Sequence, residues 1–389
     1  MNVLLSICVL TYNRCNFLEQ LLNSIASSGI LQNNQVELIV MNNGSSDETQ
    51  DFLEKFSNSN RVKVVSSETN SRGSVAYEKL LSHAQGKWVI APGDDDIFYE
   101  KTLAVLPDIL NSIPEDVSLV PFGATTINEF GKSTPIKFAP TEERNSAKLM
   151  GKLFRESIFW FPSTCFRKSI ITENQIPKTI TVFDWWIWIQ GVVLGKTSPQ
   201  RENLIKYRIH SGQEQHTYNN AAWQLDYAET FSCILSNDKY RNWLKGLSQT
   251  DLLNLFEEIS KKNPELLTDL ESFILLKLGI ALCETNPELK ERVMTFLVSV
   301  GIDARFAAIH TELQLNREIL GQALNRITKS KDEQWKSMTY HELETQINVI
   351  MMSARKEEIL QTITPFERRL IRFYRKLRFN KFSRVIIKR

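Results

Sequence analysis

The feature that most constrains this chain is an alternation, over its first 120 residues, of short apolar runs with segments of helical spacing. The apolar runs are rich in β-branched residues and have the usual length of buried strands. Between them, apolar residues recur every three or four positions, as on one face of a helix. This alternation predicts an α/β domain with a mostly parallel sheet and helices on both faces. The predicted strands are Val3–Leu10, Val36–Met41, Val62–Val65, Lys87–Ala91 and Val117–Val120.

The alternation ends near residue 121, and the composition and hydrophobic pattern of the sequence change at that point and again after Tyr218. The sequence of residues 121–215 is rich in aromatic side chains, and its irregular pattern predicts an α+β region. After Tyr218, Gly and Pro are sparse and leucine recurs at helical spacing, which predicts helices. We therefore predict an α/β domain at residues 1–217, an all-α domain at 218–365 and a basic amphipathic helix at 366–389. The helical domain is the candidate surface for oligomer formation.

Composition excludes several classes of protein. Apolar residues make up 42% of the chain and charged residues 24%, which is ordinary for a globular protein. The five cysteines are scattered without a C-x-x-C pair, which argues against a disulfide framework and a structural zinc site and favours a reducing compartment. No apolar run reaches the ~18 residues of a membrane-spanning helix. Residues 3–10 lack the basic flank of a signal peptide. We therefore expect a cytoplasmic protein.

Charge is divided unevenly along the chain. Residues 366–389 contain ten Lys or Arg and one acid, whereas the preceding 365 residues contain 37 basic and 44 acidic side chains. Aromatic and aliphatic residues interleave with the basic ones at helical spacing, which predicts an interfacial helix on the anionic inner face of the cytoplasmic membrane. A solvated helix that packs by its apolar stripe is the alternative. A helix with one basic face and one apolar face is more typical of a membrane-surface helix than of a nucleic-acid-binding helix, so we expect no nucleic-acid partner.

Polar motifs follow three of the predicted strands, where parallel sheets bind ligands. The last motif contains three consecutive carboxylates, which repel one another when ionised. Mg²⁺ or Mn²⁺ would relieve that repulsion, because both ions prefer oxygen ligands. An acidic loop that caps the next helix, near Tyr99, is the alternative, and ordinary βα turns are the alternative for the first two motifs. The motifs are Thr11-Tyr12-Asn13-Arg14, Asn42-Asn43-Gly44-Ser45-Ser46-Asp47 and Gly93-Asp94-Asp95-Asp96.

In their order and spacing these motifs resemble the GT-A domain of the family 2 glycosyltransferases, over roughly residues 1–215. The resemblance implies an inverting, metal-dependent transfer of a sugar from a nucleotide-sugar donor to a glycan or lipid-linked glycan. Such enzymes build bacterial capsule, O-antigen and other surface polysaccharides. It also implies an acidic site that only a metal neutralises. Further points of resemblance are Asn70 and Gly73 before a helix, Asp184-Trp185-Trp186, and Tyr207-Arg208-Ile209-His210.

The resemblance implies a role for each matched residue. Asp184 stands at the position of the general base, with a helix cap or salt bridge as the alternative. Asp95, Asp96 and His210 would hold Mg²⁺ or Mn²⁺. Because Gly93 replaces the first acid of the usual D-x-D motif, the two acids of the triplet that touch the ion stay undecided. The implied donor-nucleotide residues are Thr11, Tyr12, Asn13, Arg14, Asn42, Asn43, Arg72 and Asp94. The candidate acceptor residues are Trp160, Trp185 and Trp186, with a hydrophobic core as the alternative.

The second motif bears on the nucleotide. Where relatives usually read the base with an Asp, this chain has Asn42 and Asn43. A carboxylate only accepts hydrogen bonds, whereas an amide also donates them. We therefore expect a UDP-sugar, with CDP- and dTDP-sugars as alternatives. A degenerate scaffold protein that binds nucleotide without catalysis is the alternative function, and the intact carboxylates count against it.

Overall fold

The computed structural model describes residues 3–71, 73–177, 180, 182–213, 230, 231, 233–235, 237–261, 278, 279, 281–283 and 285–299. Arg72, the predicted helix at 366–389 and most of the predicted helical domain lie outside the described residues. Among the helices described, none is long and apolar enough to cross a membrane.

The described residues belong to two compact units. The first contains residues up to 213 together with 237–261, and the second contains residues 230–235 and 278–299. The predicted boundary at 217/218 stays a prediction, but two helices beyond it belong to the first unit.

The secondary structure begins with the predicted alternation of strands and helices. Each of the five predicted strands is present, with bounds shifted by a few residues. The strands are β1 Leu5–Thr11, β2 Val36–Asn42, β3 Lys63–Ser66, β4 Trp88–Ile90, β5 Ile97–Phe98, β6 Val117–Pro121, β7 Gly123–Asn128, β8 Ser133–Phe138, β9 Thr164–Arg167, β10 Lys196–Thr197 and β11 Asn203–Ile209. The helices are α1 Cys15–Ser27, α2 Thr49–Ser59, α3 Gly73–Ser82, α4 Glu100–Ser112, α5 Ser146–Leu153, α6 Ser169–Glu173, α7 Phe183–Leu194, α8 Asp238–Gly246, α9 Gln249–Ser260 and α10 Lys290–Ser299. Short 3-10 turns occupy Ile30–Gln32, Phe161–Ser163 and Pro287–Leu289.

The main sheet has seven strands in the order β10-β6-β9-β4-β1-β2-β3. Strands β1 to β4 pair in parallel, as predicted, and β1 is buried along nearly its whole length because it lies inside the sheet. Burial on both faces explains why its sequence is continuously apolar rather than alternating. The confirmed fold class is therefore a mostly parallel sheet with flanking helices.

Strand β9 was not predicted, and it lies antiparallel between β4 and β6. It is four residues long and ends in Arg167, a charged residue that argues against a buried strand. The Arg167 guanidinium compensates for burial by donating to the carbonyls of Val117 (2.9 Å) and Pro114 (3.0 Å). It also lies 4.0 Å from the ring of Trp88. These are tertiary contacts that local sequence does not reveal.

A second sheet of four strands has the order β5-β11-β7-β8. Strand β11 pairs with β7 in parallel and with β5 antiparallel. Because β5 begins directly after Asp96, this pairing brings the end of β11 beside the acidic triplet. The irregular region predicted at 121–215 therefore supplies a sheet that completes the polar site.

Helices α8 and α9 extend the first unit beyond the predicted boundary. Helix α9 packs closely on α5, and the contact is centred on Gly151. A Cβ atom at Gly151 would lie 2.5 Å from the Cβ of Glu258 and 2.9 Å from the backbone oxygen of Leu255. Glycine is therefore required for the two helices to approach this closely.

We expect Gly151→Ala to lower the free energy of unfolding of the first unit by about 1–3 kcal/mol, the usual cost of overpacking. The clash involves backbone, so it outweighs the ~1 kcal/mol that alanine gains in helix propensity. Urea denaturation followed by circular dichroism measures the change. Gly246→Ala is the matched control, because the space around Gly246 is open. Equal stability of the two variants would contradict the packing of α9 on α5.

Candidate active site

The polar motifs converge at the carboxyl ends of adjacent strands. Strands β4, β1 and β2 are neighbours, and the Gly93 backbone pairs with Leu10 just before β1 ends. A side chain at position 93 would lie 2.6 Å from Oδ1 of Asp95 and 3.0 Å from Oδ2 of Asp96. Glycine at this position therefore leaves room for the two carboxylates, which accounts for the departure from a D-x-D motif.

Asp94 and Asp95 share one cationic partner. The Nη1 atom of Arg14 donates to Oδ1 of Asp94 (3.0 Å) and to Oδ2 of Asp95 (3.1 Å). Its Nη2 atom donates to the carbonyl of Gly212 (2.8 Å) and so fixes the loop after β11. Both carboxylates are about 95% buried. Burial raises the pKa of Asp94 to about 6, although Arg14 opposes the shift.

Asp96 has a different environment from its two neighbours. It is fully buried, and its oxygens accept the backbone N–H groups of Gly93 (3.0 Å) and Arg208 (3.1 Å). Burial and the charge of Asp95 raise its pKa, while the two backbone hydrogen bonds oppose the rise. This carboxylate therefore joins the acidic loop to β11. The prediction that Asp96 binds metal stays a prediction.

Arg208 is also fully buried. Its Nε atom donates to the backbone oxygen of Asp95 (2.6 Å), and its Nη1 atom donates to those of Asn128 (3.2 Å) and Glu129 (3.0 Å). Its Nη2 atom donates to the side chain of Gln20 (2.8 Å). The expectation that only a metal neutralises the acidic site is therefore wrong, because Arg14 and Arg208 place two positive charges against it.

His210 is oriented by hydrogen bonds at both ring nitrogens. Its Nδ1 atom lies 3.1 Å from the backbone N–H of Gly212, and its Nε2 atom lies 2.8 Å from Oδ2 of Asp95. A backbone N–H only donates, so Nδ1 accepts and Nε2 carries the proton. In this tautomer His210 donates to Asp95. Metal coordination through Nε2 requires the other tautomer.

Among the described residues, no group of three or more His, Cys, Asp or Glu side chains converges as a ready-made metal site. Mg²⁺ needs no such group, because it commonly binds one or two carboxylates together with substrate phosphates. Asp95 fits that mode of binding through its Oδ1 atom, because its Oδ2 atom already accepts from Arg14 and from His210.

Asp184 lies in the first turn of α7. Its Oδ1 atom accepts the backbone N–H of Trp185 (2.9 Å). Burial raises the pKa of Asp184 to about 6, against the effect of that hydrogen bond. Tyr207 is half-buried, and this burial raises the pKa of its phenol, as do the charges of Asp96, Asp95 and Asp184. Tyr207 lies on β11 directly before Arg208, whose backbone N–H donates to Asp96.

The predicted nucleotide-binding asparagines are engaged within the protein. The amide nitrogen of Asn43 donates to Asn70 Oδ1 (2.8 Å) and the Ser71 carbonyl (3.0 Å). Its oxygen accepts from the N–H and hydroxyl of Ser71. All of its hydrogen-bonding capacity is therefore used. Asn42 donates to Gln50 (3.0 Å) and accepts from the Ser45 N–H (2.9 Å), which leaves it one donor and one lone pair.

The other nucleotide candidates surround the end of β1. Thr11 is buried there, and Tyr12 is 41% exposed. Asn13 has a positive φ of 52°, and its side chain accepts the backbone N–H of Ser46 (2.7 Å). The backbone N–H of Asn13 donates in turn to Ser45 (3.0 Å). These bonds hold the first two motifs against each other.

The three candidate acceptor tryptophans have different environments. Trp185 and Trp186 are 7% and 3% exposed, and the Trp185 indole donates to the carbonyl of Leu153 (2.8 Å). The structure places both inside the core, because α7 is apolar on all sides and packs on α5, α6 and β6. Trp160 is half-buried. Tyr207, which no sequence argument singled out for a role, lies beside it.

Known proteins are similar to this chain over the same region that contains the candidate site. Residues 6–173 match the sequence profile of glycosyl transferase family 2. An uncharacterized glycosyltransferase of Rickettsia typhi is 22% identical over 336 residues, which cover 81% of this chain and 98% of that protein. The Staphylococcus aureus poly(ribitol-phosphate) β-N-acetylglucosaminyltransferase TarS is 26% identical over 172 residues, covering 44% of this chain and 29% of TarS.

A crystal structure of residues 1–349 of S. aureus TarS, in complex with UDP-GlcNAc, has the same fold. It superposes with a TM-score of 0.56 at 17% identity and covers 80% of this chain and 92% of that one. The profile match, the relatives and the shared fold agree with the motifs at the strand ends. The chain carries, over residues 6–173, a glycosyltransferase family 2 domain with a GT-A fold, and it resembles bacterial enzymes of polysaccharide synthesis.

Proposed function

We propose that this glycosyltransferase moves a sugar, with inversion, from a UDP-sugar to a hydroxyl of a glycan or lipid-linked glycan in surface polysaccharide synthesis. CDP- and dTDP-sugars remain the alternative donors. The UDP-GlcNAc complex of TarS supports a UDP donor. The Asn43 amide bonds to Asn70 and Ser71 and therefore has no free donor with which to select cytosine over uracil. We further propose that the reaction takes place in the cytoplasm or on the inner face of the cytoplasmic membrane.

The observation that carries this proposal is the environment of the Asp184 carboxyl, which raises its pKa and leaves it able to accept a proton. A general base works best when its pKa lies near the operating pH, and burial raises the pKa of this carboxyl to about 6. Its carboxyl accepts from the backbone N–H groups of Trp185 and of Asp184 itself, and two oxygens with four lone pairs still have capacity to accept a proton.

The chemistry follows from these positions. Asp184 takes the proton of the acceptor hydroxyl as that oxygen attacks the anomeric carbon of the donor sugar. The bond from this carbon to the nucleotide diphosphate breaks as the new bond forms, and attack opposite the leaving group inverts the configuration. Arg14, which is 28% exposed at its side chain, is positioned to contact the departing diphosphate.

Asp95 is the residue proposed to hold Mg²⁺ or Mn²⁺, together with diphosphate oxygens. The ion would spread the negative charge of the leaving diphosphate. His210 would hold the ion through Nε2 only in the tautomer that carries the ring proton on Nδ1. In the tautomer that the Gly212 N–H favours, His210 is a hydrogen-bond donor that orients the Asp95 carboxylate.

We expect Asp184→Asn to lower kcat by about 10²–10⁴-fold while the affinity for UDP stays within about twofold, because the base contributes to the reaction step. In the unaltered enzyme, kcat should fall as pH drops below about 6, since protonated Asp184 accepts no proton. Transfer of a radiolabelled sugar across pH 5–8 measures both effects.

The raised pKa of Asp184 also predicts how Asp184→Asn affects the stability of the fold. The folded state holds the Asp184 proton more tightly than the unfolded state, whose pKa is near 3.8. This carboxyl therefore destabilises the fold increasingly as pH rises from about 4 through 6. Asp184→Asn should consequently melt no lower than the unaltered protein at pH 8. Loss of UDP binding in this variant would assign Asp184 to the donor site instead.

Asp95 and Asp96 should differ in their effect on metal binding. We expect Asp95→Asn to lose the Mn²⁺-dependent part of UDP affinity and also to melt lower, because it removes a nearly buried charge that pairs with Arg14 and His210. Asp96→Asn should keep the Mn²⁺-dependent part of UDP affinity but lower the stability of the fold, because an amide group cannot accept both the Gly93 and the Arg208 N–H groups. Isothermal titration of UDP with and without Mn²⁺, together with melting curves, distinguishes the two. Mn²⁺-dependent UDP binding that persists in Asp95→Asn would show that the metal ligand is another residue.

A further inference from the structure

Three half-buried aromatic side chains form a row beside the candidate base. The row consists of Phe138 at the end of β8, Trp160 before the second 3-10 turn, and Tyr207 on β11. The rings of Phe138 and Trp160 stack with centroids 3.7 Å apart at 30°. The rings of Trp160 and Tyr207 meet edge to face, with centroids 4.9 Å apart at 64°. Three separate segments of the chain thus contribute to one continuous aromatic row.

One end of the row lies at the reaction centre. Tyr207 directly precedes Arg208, whose backbone N–H donates to Asp96, and the Tyr207 hydroxyl accepts from Gln213, whose side chain also accepts the backbone N–H of His210. The other end lies on β8, which is the edge strand of the second sheet and is largely exposed. The row therefore leads from the polar site towards the rim of the domain.

A second aromatic group links the row to Asp184. Phe161 follows Trp160 in sequence, and its ring contacts Phe183 (5.3 Å between centroids) and Tyr77 (6.0 Å). Phe183 immediately precedes Asp184. Asp184 is thus the sequence neighbour of Phe183, whose ring packs on Phe161, and Phe161 is the sequence neighbour of Trp160.

The three rings are less buried than the tryptophans of α7. The tryptophans of α7 are almost completely buried, with Trp185, Trp186 and Trp188 exposed by 7%, 3% and 2%. Trp160 and Phe138 are each only partly buried. Aromatic walls with a few polar groups at one end are typical of small-molecule and sugar-sized binding sites. Sugar rings offer flat faces of C–H groups that pack on such walls.

We propose that Phe138, Trp160 and Tyr207 form an acceptor subsite for a neutral oligosaccharide. Sugar rings of the acceptor pack along the row, and the reacting hydroxyl of the terminal ring lies at the Asp184 end. This inference rests on the proposed function, because it assigns the acceptor of that reaction. It distinguishes a glycan acceptor, bound by its ring faces, from a polyol-phosphate acceptor, bound by its charges.

The test measures binding of cellohexaose, maltohexaose and chitohexaose by isothermal titration, without donor, so that no turnover is needed. We expect at least one of them to bind, and Trp160→Leu and Phe138→Leu to raise its Kd about tenfold, in line with the strength of aromatic contacts. Trp160→Phe should bind nearly normally but lose the change in tryptophan fluorescence that the sugar causes. Phe130→Leu is the matched control and should bind normally, because Phe130 is 78% exposed at the turn between β7 and β8, outside the row.

The outcomes separate this inference from the proposed function. Binding of none of the three sugars to the unaltered protein would overturn the inference, as would variants that bind them normally. A lower melting temperature in Trp160→Leu with an unchanged fluorescence response in Trp160→Phe would show that the row serves packing alone. If the sugars bind along the row but no transfer to them or to lipid-linked glycans occurs with any nucleotide-sugar, the proposed function fails and the subsite stands.

Discussion

The buried guanidinium of Arg208 is the interaction on which the rest of the polar site depends. Removing a charge from water is costly unless it is paired and hydrogen-bonded. Here four acceptors from three distant segments surround it, and the charges of Asp95 and Asp96 oppose the fall in its pKa that burial causes. The acidic triplet and the arginine are thus each tolerated in the interior because the other is present.

This mutual dependence sets the geometry of the proposed donor site. Arg208 holds the backbone of Asp95, while Asp96 holds the backbone of Arg208, so the acidic loop and β11 cannot shift independently. The end of β11 then presents His210 to Asp95 on one side and Tyr207 to the aromatic row on the other. Donor and acceptor functions are therefore proposed to meet at a single strand.

The parts of the site that sequence predicted are those that local chemistry determines. Strand ends in an α/β sheet collect polar loops, so Arg14 and the triplet were expected near one another, and their contacts are consistent with that. Burial was harder to predict. Trp185 and Trp186 look like ligand-binding residues in a motif, but their helix is surrounded by protein. The saturation of Asn43 depends on Ser71, 28 residues away, which no local pattern indicates.

By itself the sequence determined the α/β class, five of the seven strands of the main sheet and the resemblance to family 2 glycosyltransferases, because hydrophobic periodicity and short motifs are local properties. Only the tertiary structure decided that β9 inserts antiparallel, that α8 and α9 belong to the first unit, and that Arg208 faces inward. It also brought Phe138, Trp160 and Tyr207 into one row. Each of these depends on which distant backbone and side-chain groups compensate a buried charge or fill a gap, and that compensation exists only once the chain has folded.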